Sequence, residues 1–428
     1  MTSEVAIMNR SAIALAADSA VTLQNRKILN SANKLHMLAP GYSIGVLVFN
    51  SDSLVGVPWE LIIKLYRDRL LNKELRFPHL SDYTADFMEF VKLESEKLFT
   101  QGDQHDFFEF MMHEILHGEI IDYIDKRSQE KMIESGEKIL GQELLDITTG
   151  QINALCGAWE SAPDLFDEET SRQVVARLEE SYMVLFNGIY ETFFSKFELD
   201  AEVKDRLWKL CTHWFIKDAW FNLAFSGIVF AGYGDEDIYP SIIEYKVESY
   251  ICGSLKHKLE RNESGRHSRG IYSFAQNDII QTLINGMHPI AWELLQKIYL
   301  HQMVTNQPNE EAGRYLNELR SRLQEGMREH YTLSIIGMVA ALPKDDLAFM
   351  AETLVNITGF MRRVSSDQET VGGPTDVAVI SKKDGFIWIK RKHYFDPEYN
   401  YHFFAGESGQ YPGRNRDART ERETRKQQ

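Results

Sequence analysis

The sequence predicts an α+β protein in which β-strands near both ends of the chain enclose a long all-helical segment. Short runs with period-two alternation, rich in Val and Ile, occur before residue 75 and again after residue 223. Residues 76–222 instead show 3.6-residue patterning with hardly any strand signal. With 428 residues, 43% of them hydrophobic, the chain can bury a sizeable core and fill two or three domain-sized units.

Val5 and Ile7 alternate with Ala6 and Met8, Asn9-Arg10 breaks the run, and Ile13 and Leu15 resume it. Residues 3–17 therefore predict a hairpin, with Asp18 just past its second strand. Residues 34–38 and 43–49 predict a second strand pair around Pro40-Gly41, and Pro58 opens a helix to about Leu71. Helices are expected over 82–99, 104–126, 168–195 and 200–220. Trp208, Trp214, Phe215, Trp220, Phe221 and Phe225 fall at helical spacing there and are expected in a core.

Strands return at 226–231 and 241–250. Gly232-Tyr233-Gly234-Asp235 reads as a strand end, since neither a P-loop lysine nor a strand-to-helix glycine fingerprint follows. Helices are expected near 274–286, 289–304, 308–330 and 344–360, then a closing hairpin of 375–381 with 385–391. Lys390-Arg391-Lys392-His393 reads as a solvated strand terminus. Residues 406–428 are almost devoid of apolar side chains and predict a disordered tail.

Acidic residues outnumber basic ones, 63 to 47, and the formal charge of -16 argues against unspecific binding to nucleic acid or anionic membranes. The small apolar run 12–17 is too short for a signal peptide and is interrupted by Asp18, and no stretch is long enough to span a bilayer. Cys156, Cys211 and Cys252 fit neither a disulfide framework nor a clustered zinc site, so a cytoplasmic location is expected.

The chemistry concentrates in the first 34 residues, where Asp18 follows Thr2 by 16 positions and Lys34 follows Asp18 by 16 more. With Met1 removed, Thr2 carries a hydroxyl nucleophile and an α-amine of pKa about 7.7–8.0, near enough to neutrality to serve as its own base. A neighbouring cation, Lys34, disfavours protonation of that amine, and Asp18 is the anion that offsets the lysine. Threonine's restricted χ1 holds the hydroxyl in one orientation. The plainer reading is a small residue after the initiator, a turn aspartate and a surface lysine.

Thr2-Ser3-Glu4-Val5-Ala6-Ile7, Leu15-Ala16-Ala17-Asp18-Ser19 and Asn33-Lys34-Leu35 together resemble a proteasome β-type subunit and the related bacterial peptidase that works beneath an unfoldase ring. The strand 228–232, the helix 344–360 and Gly372-Gly373 leading into 375–380 follow in the family's order, so the resemblance spans roughly 2–72, 224–290 and 344–392. It implies a four-layer αββα N-terminal nucleophile hydrolase sandwich, built from 2–75 and 223–405, with 76–222 as a helical insertion. It further implies that Thr2, Asp18 and Lys34 are catalytic, that no cofactor is needed, and that the substrate is a peptide or protein. Assembly into a ring or dimer and an unfoldase partner are also implied.

Two departures stand out. Asn50 occupies the place where the family has a glycine whose backbone N–H stabilises the oxyanion. The supporting aspartate and serine fall on Gln368 and Val371 when Gly372-Gly373 are aligned, and on Asp367 and Thr370 after a one-residue slip. The other supporting serine is Ser254 or Ser273. Thr2→Ala and Lys34→Ala are each expected to abolish hydrolysis and leave the fold intact.

A competing motif is His113-Glu114-Ile115-Leu116-His117, which on a helix puts two imidazoles on one face for zinc with Glu114 as base. It fixes only three positions, and Glu119, Glu130, Glu134 and Glu137 offer no distinctive third-ligand pattern. The alternatives to a threonine hydrolase are thus a zinc metallopeptidase and a non-catalytic scaffold in which retained Met1 blocks the amine.

Overall fold

The structure, a computed structural model, describes residues 3–23, 27–29, 32–195, 197, 199–221, 224–265, 268–295, 297, 310–364, 371–393 and 395–400. It is mixed α/β with two five-stranded antiparallel sheets. The first has the order β12-β1-β2-β13-β14, where β1 is Ser3–Met8, β2 Ala12–Ala17, β12 Gly270–Ala275, β13 Asp376–Ser381 and β14 Gly385–Lys390. The second has the order β11-β10-β9-β6-β5, where β5 is Leu35–Met37, β6 Ile44–Asn50, β9 Ser226–Gly232, β10 Ser241–Ile251 and β11 Ser254–Glu263. Two-stranded ribbons, β3–β4 (Val21–Leu23, Lys27–Leu29) and β7–β8 (Ser53–Leu54, Val57–Pro58), lie outside both.

Strand alternation sorts side chains between faces. Ala6, Met8, Ile13, Leu15 and Ala17 of the first sheet meet Leu47, Phe49, Val229, Ala231 and Ile242 of the second in one apolar layer. The sheets approach so closely at Gly45 that a Cβ there would lie 2.8 Å from Leu15 Cδ1 and 2.9 Å from Ile380 Cδ1. On the opposite face of the first sheet, Val5, Ile7 and the small side chains Ala12, Ala14 and Ala16 receive Leu347, Ala348, Ala351 and Val355. The last four belong to a long helix, Lys344–Val364. Ile44, Val46, Val48, Ile228 and Phe230 on the second sheet's outer face pack against α1 (Trp59–Asn72) and α2 (Leu80–Leu93). Helix α1 buries Trp59, Ile62, Ile63, Tyr66 and Leu70, one stripe at helical spacing.

Between α2 and β9 the chain is helical: α3 (Ser95–Leu98), α4 (Gln101–His113), a π-helical stretch Glu114–Ile121, α5 (Asp122–Ser135), α6 (Gln142–Glu160), α7 (Glu168–Phe194) and α8 (Ala201–Ile216). These elements share their own core, in which Phe108, Leu178, Phe186, Trp214 and Phe215 are buried, and Ile251 at the end of β10 enters it. Residues 95–221 hold 26 acidic and 12 basic side chains, so this segment carries most of the chain's excess negative charge. After β12 come α9 (Asp278–Asn285), α10 (Glu310–Met327), a π-helical turn Arg328–Thr332, α11 (Leu333–Val339) and the long helix above, α12. No described helix is long and apolar enough to cross a membrane.

Several expectations need correction. Residues 270–275 form β12 rather than leading into a helix from 274, and β11 was absent from the sequence reading, whereas α6 falls inside the segment expected to be helical. The 104–126 helix is interrupted by the π-helical stretch. Trp208, Trp214, Phe215 and Phe221 do join the helical core, but Phe225 packs against the layer between the sheets. The solvated strand terminus is found as expected, with Lys390 and Arg391 exposed at the end of β14, Lys390 beside Glu352 and Arg391 over Trp388, while Lys392 is paired with Asp376 and largely covered. The expected tail, 406–428, lies outside the described residues.

Gly232 closes β9 at φ +143°, and a Cβ there would lie 2.0 Å from the backbone oxygen of Ser43. Gly232→Ala is expected to destabilise the protein by about 1–3 kcal/mol. Gly150→Ala, inside α6 with open space at the Cβ position, should instead stabilise it by roughly 0.5–1 kcal/mol. Chemical denaturation of the two variants reads both signs, and equal effects would contradict the packing described.

Candidate active site

Asp18 follows the last residue of β2, where the chain turns away from the ladder, and is 1% exposed. Four donors converge on its carboxylate. Oδ1 accepts from Lys34 Nζ at 2.5 Å and from Ser3 N–H at 3.1 Å. Oδ2 accepts from Ala20 N–H at 3.2 Å and Gly372 N–H at 3.0 Å. The backbone completes the junction: Asp18 N–H donates to Ser3 O, Ser19 N–H to Gly372 O, and Ser19 Oγ to Pro374 O. One carboxylate thereby joins the first strand, the end of the second and the segment leading into β13.

Lys34 precedes β5, is 5% exposed, and its carbonyl accepts from Val48 N–H at 2.9 Å. Its ammonium lies between Asp18 and a second carboxylate, Glu4, at 3.6 Å. Glu4 was not among the sequence candidates. It stands on the same face of β1 as Ala6 and Met8, where a charged side chain in an otherwise apolar row was the available signal.

Asn50 ends β6 at φ +69°, the left-handed region that asparagine tolerates better than most side chains. Its Nδ2 donates to Phe225 O at 2.8 Å, as does the Ser51 N–H at 3.2 Å. Ser51 N–H thus points to β9, whereas Val48 N–H points to Lys34 O across β5. Backbone amides alternate sides along a strand, which turns Asn50 N–H toward the side that carries Lys34.

Thr2, Asp367 and Thr370 lie outside the described residues. The nearest described neighbour of Thr2 is Ser3, fully buried, whose amide nitrogen belongs to the peptide bond joining the two. Gly372 is brought to the site through its N–H. Ser254 is not: it opens β11 opposite Ile251, at the hairpin end that enters the helical core. Ser273 pairs with Val5 and so shares the face that packs under α12. A cavity of about 190 Å³ adjoins Asp18 between Gly372–Thr375 and Asn356, Gly359 and Arg363 of α12. A larger one, about 510 Å³, lies between α9 and α10 beside Trp292 and Arg328 and shares no lining residue with it; Asp18 decides which is relevant.

No known protein family matches this chain, and no curated protein does.

His113 and His117 both pack edge-on against Phe193 of α7, at 5.1 and 5.6 Å between ring centres, and His117 Nδ1 lies 3.4 Å from Asp122. Among the described residues, the ligand atoms that converge are those of His105, Asp106 and Glu109 near the start of α4, not the H-E-x-x-H set. That trio is largely solvent-exposed, and exposed acidic groups at helical spacing come together without a metal.

Lys34 is a buried cation between two buried carboxylates, so its loss is expected to cost stability as well as activity. Lys34→Met should destabilise the protein by about 3–5 kcal/mol, because it removes a buried cation that Asp18 pairs with at 2.5 Å. A denaturation midpoint close to wild type would contradict the pairing.

His36, two residues on, is buried beside α1, and desolvation lowers its pKa from 6.5 to about 4, with Glu60 opposing and Arg67 adding to the shift. The folded pKa lies below the unfolded one, so the unfolded chain binds this proton more readily in that window. The resulting stability is present above pH 6.5 and is lost as pH falls toward 4. Wild type should lose on the order of 3 kcal/mol more than His36→Leu between pH 7 and pH 4 in chemical denaturation.

Proposed function

We propose that this chain is an N-terminal threonine hydrolase that cleaves amide bonds in peptides or proteins. The observation that carries the reading is the buried Lys34, held between Asp18 and Glu4 directly beside the amide of Ser3. Lys34, Asp18 and Glu4 are all buried, in a place where charge is costly unless it is paired. A free amine on Thr2, one covalent step from Ser3, supplies a cation when protonated and a base when not.

In the proposed reaction Thr2 Oγ1 attacks the substrate carbonyl carbon while its proton passes to the α-amine. The oxyanion takes a hydrogen bond from the backbone N–H of Asn50. Collapse breaks the C–N bond, the departing amine takes the proton, and an ester on Thr2 remains. Water, deprotonated by the same α-amine, then hydrolyses that ester. Lys34 and Asp18 act by orienting and tuning the amine.

The finer fold reading belongs to the same proposal. Two antiparallel sheets share a core, with α1 and α2 on one outer face and α12 on the other. These layers support a four-layer N-terminal nucleophile hydrolase sandwich, with the helical segment as an insertion. Assembly into a ring or dimer and use of an unfoldase are proposed on the family resemblance alone.

Protein expressed without an N-terminal tag is expected to lack Met1 by intact mass and to hydrolyse fluorogenic peptides. Thr2→Ala should reduce that turnover to background. The rate should rise with pH as the amine deprotonates, around 7.7–8.0. Retained Met1, or equal turnover by Thr2→Ala, would overturn the assignment.

A further inference from the structure

A second buried ion pair lies away from Asp18. Glu248 on β10 and Lys256 on β11 meet at 2.6 Å with 0% and 1% of their side chains exposed. Glu248 occupies a register shift between Val247 and Ser249, a bulge that re-aims a side chain within a ladder. Desolvation leads in lowering Lys256 to about 8 and in raising Glu248, and the pairing opposes both shifts. A pair this dry is a weak source of stability, since apolar side chains of equal volume commonly serve as well. What it holds in place is therefore of more interest than its energy.

Lys256 Nζ donates to Trp214 O at 2.6 Å and to Ala219 O at 2.5 Å, beneath the rings of Trp214 and Trp220. Glu248 Oε1 accepts from Phe221 N–H at 2.8 Å. Phe221 O in turn accepts from the amides of Ala224 and Phe225 at 3.1 and 3.3 Å. Phe225 O accepts from Asn50 Nδ2 and Ser51 N–H. Lys246 Nζ lies 4.0 Å from the centre of the Phe225 ring. A continuous run of hydrogen bonds thus leads from the ion pair, past the C-terminal end of α8, to the left-handed turn at Asn50.

We infer that Glu248 and Lys256 are positioning residues for the Asn50 turn, through Phe221 and Phe225, and that the end of the helical segment is thereby part of the candidate site's support. Its catalytic consequence rests on the hydrolase reading; its structural consequence does not.

The test uses the full-length chain. Glu248→Leu combined with Lys256→Met removes both charges and the acceptor for Phe221 N–H at similar volume. Amide exchange in peptides covering 49–53 should rise at least tenfold, with cooperative unfolding retained. Glu248→Gln with Lys256→Met keeps an acceptor for Phe221 N–H and should restore protection. In peptide hydrolysis the first variant should lose tenfold or more in kcat with KM changed less than twofold. Unchanged exchange at 49–53 in the folded first variant overturns the inference. Raised exchange together with a wild type that hydrolyses nothing supports the positioning role and overturns the hydrolase reading. If the first variant does not fold, exchange of the wild type decides. The Phe221, Phe225 and Ser51 amides should then open with the same denaturant dependence, and independent opening overturns the inference.

Discussion

An ammonium group buried between two carboxylates constrains everything around it. The three charges of Lys34, Asp18 and Glu4 are tolerable out of water only if their hydrogen-bonding capacity is met, and at Asp18 the backbone does most of this work. Asp18 draws in the amides of Ser3, Ala20 and Gly372, residues separated by up to 369 positions in the chain. The start of β1, the exit from β2 and the approach to β13 therefore meet at one carboxylate. These are also neighbouring strands of the first sheet, so the ion pair and the ladder enforce the same register.

The second buried pair performs a comparable service in the other sheet. Glu248 and Lys256 fasten the chain where it leaves α8, and Phe225 then fixes the turn after β6. β6 is the common member: Val48 N–H bonds Lys34 O on one side, while Ser51 N–H bonds Phe225 O on the other. The two ionic anchors thus approach Asn50 from opposite edges of one strand. Burying charge at both places makes sense if geometry, rather than stability, is what these residues supply.

Much of this arrangement was legible because its signals are local. The β1–β2 hairpin alternates cleanly, and Asp18 and Lys34 were singled out by spacing from Thr2. Glu4 was overlooked because its role depends on facing inward, toward a lysine 30 positions away. β11 escaped notice because it is an edge strand whose outer half carries Lys258, Glu260, Arg261 and Glu263, so its alternation is charged rather than apolar. β12 was merged into a helix because six residues of strand run almost directly into α9. Ser254 and Ser273 were plausible by sequence order, but order does not reveal which end of a hairpin or which face of a strand a residue occupies. The two histidines of the H-E-x-x-H match share one helical face, and both pack against Phe193.

The distribution of charge adds a last constraint. Residues 95–221 contain 26 of the 63 acidic residues but only 12 of the 47 basic ones, so the strands and helices that build the candidate site are close to neutral. Long-range repulsion of acidic molecules is consequently a property of the helical segment rather than of the candidate site. Screening at physiological salt confines that field to roughly 8 Å, so it acts on what approaches the helices more than on what reaches Asn50. The helical segment therefore bears on the candidate site through the chain that follows α8, where Phe221 and Phe225 hold the turn at Asn50, while its surface charge acts on what approaches the helices.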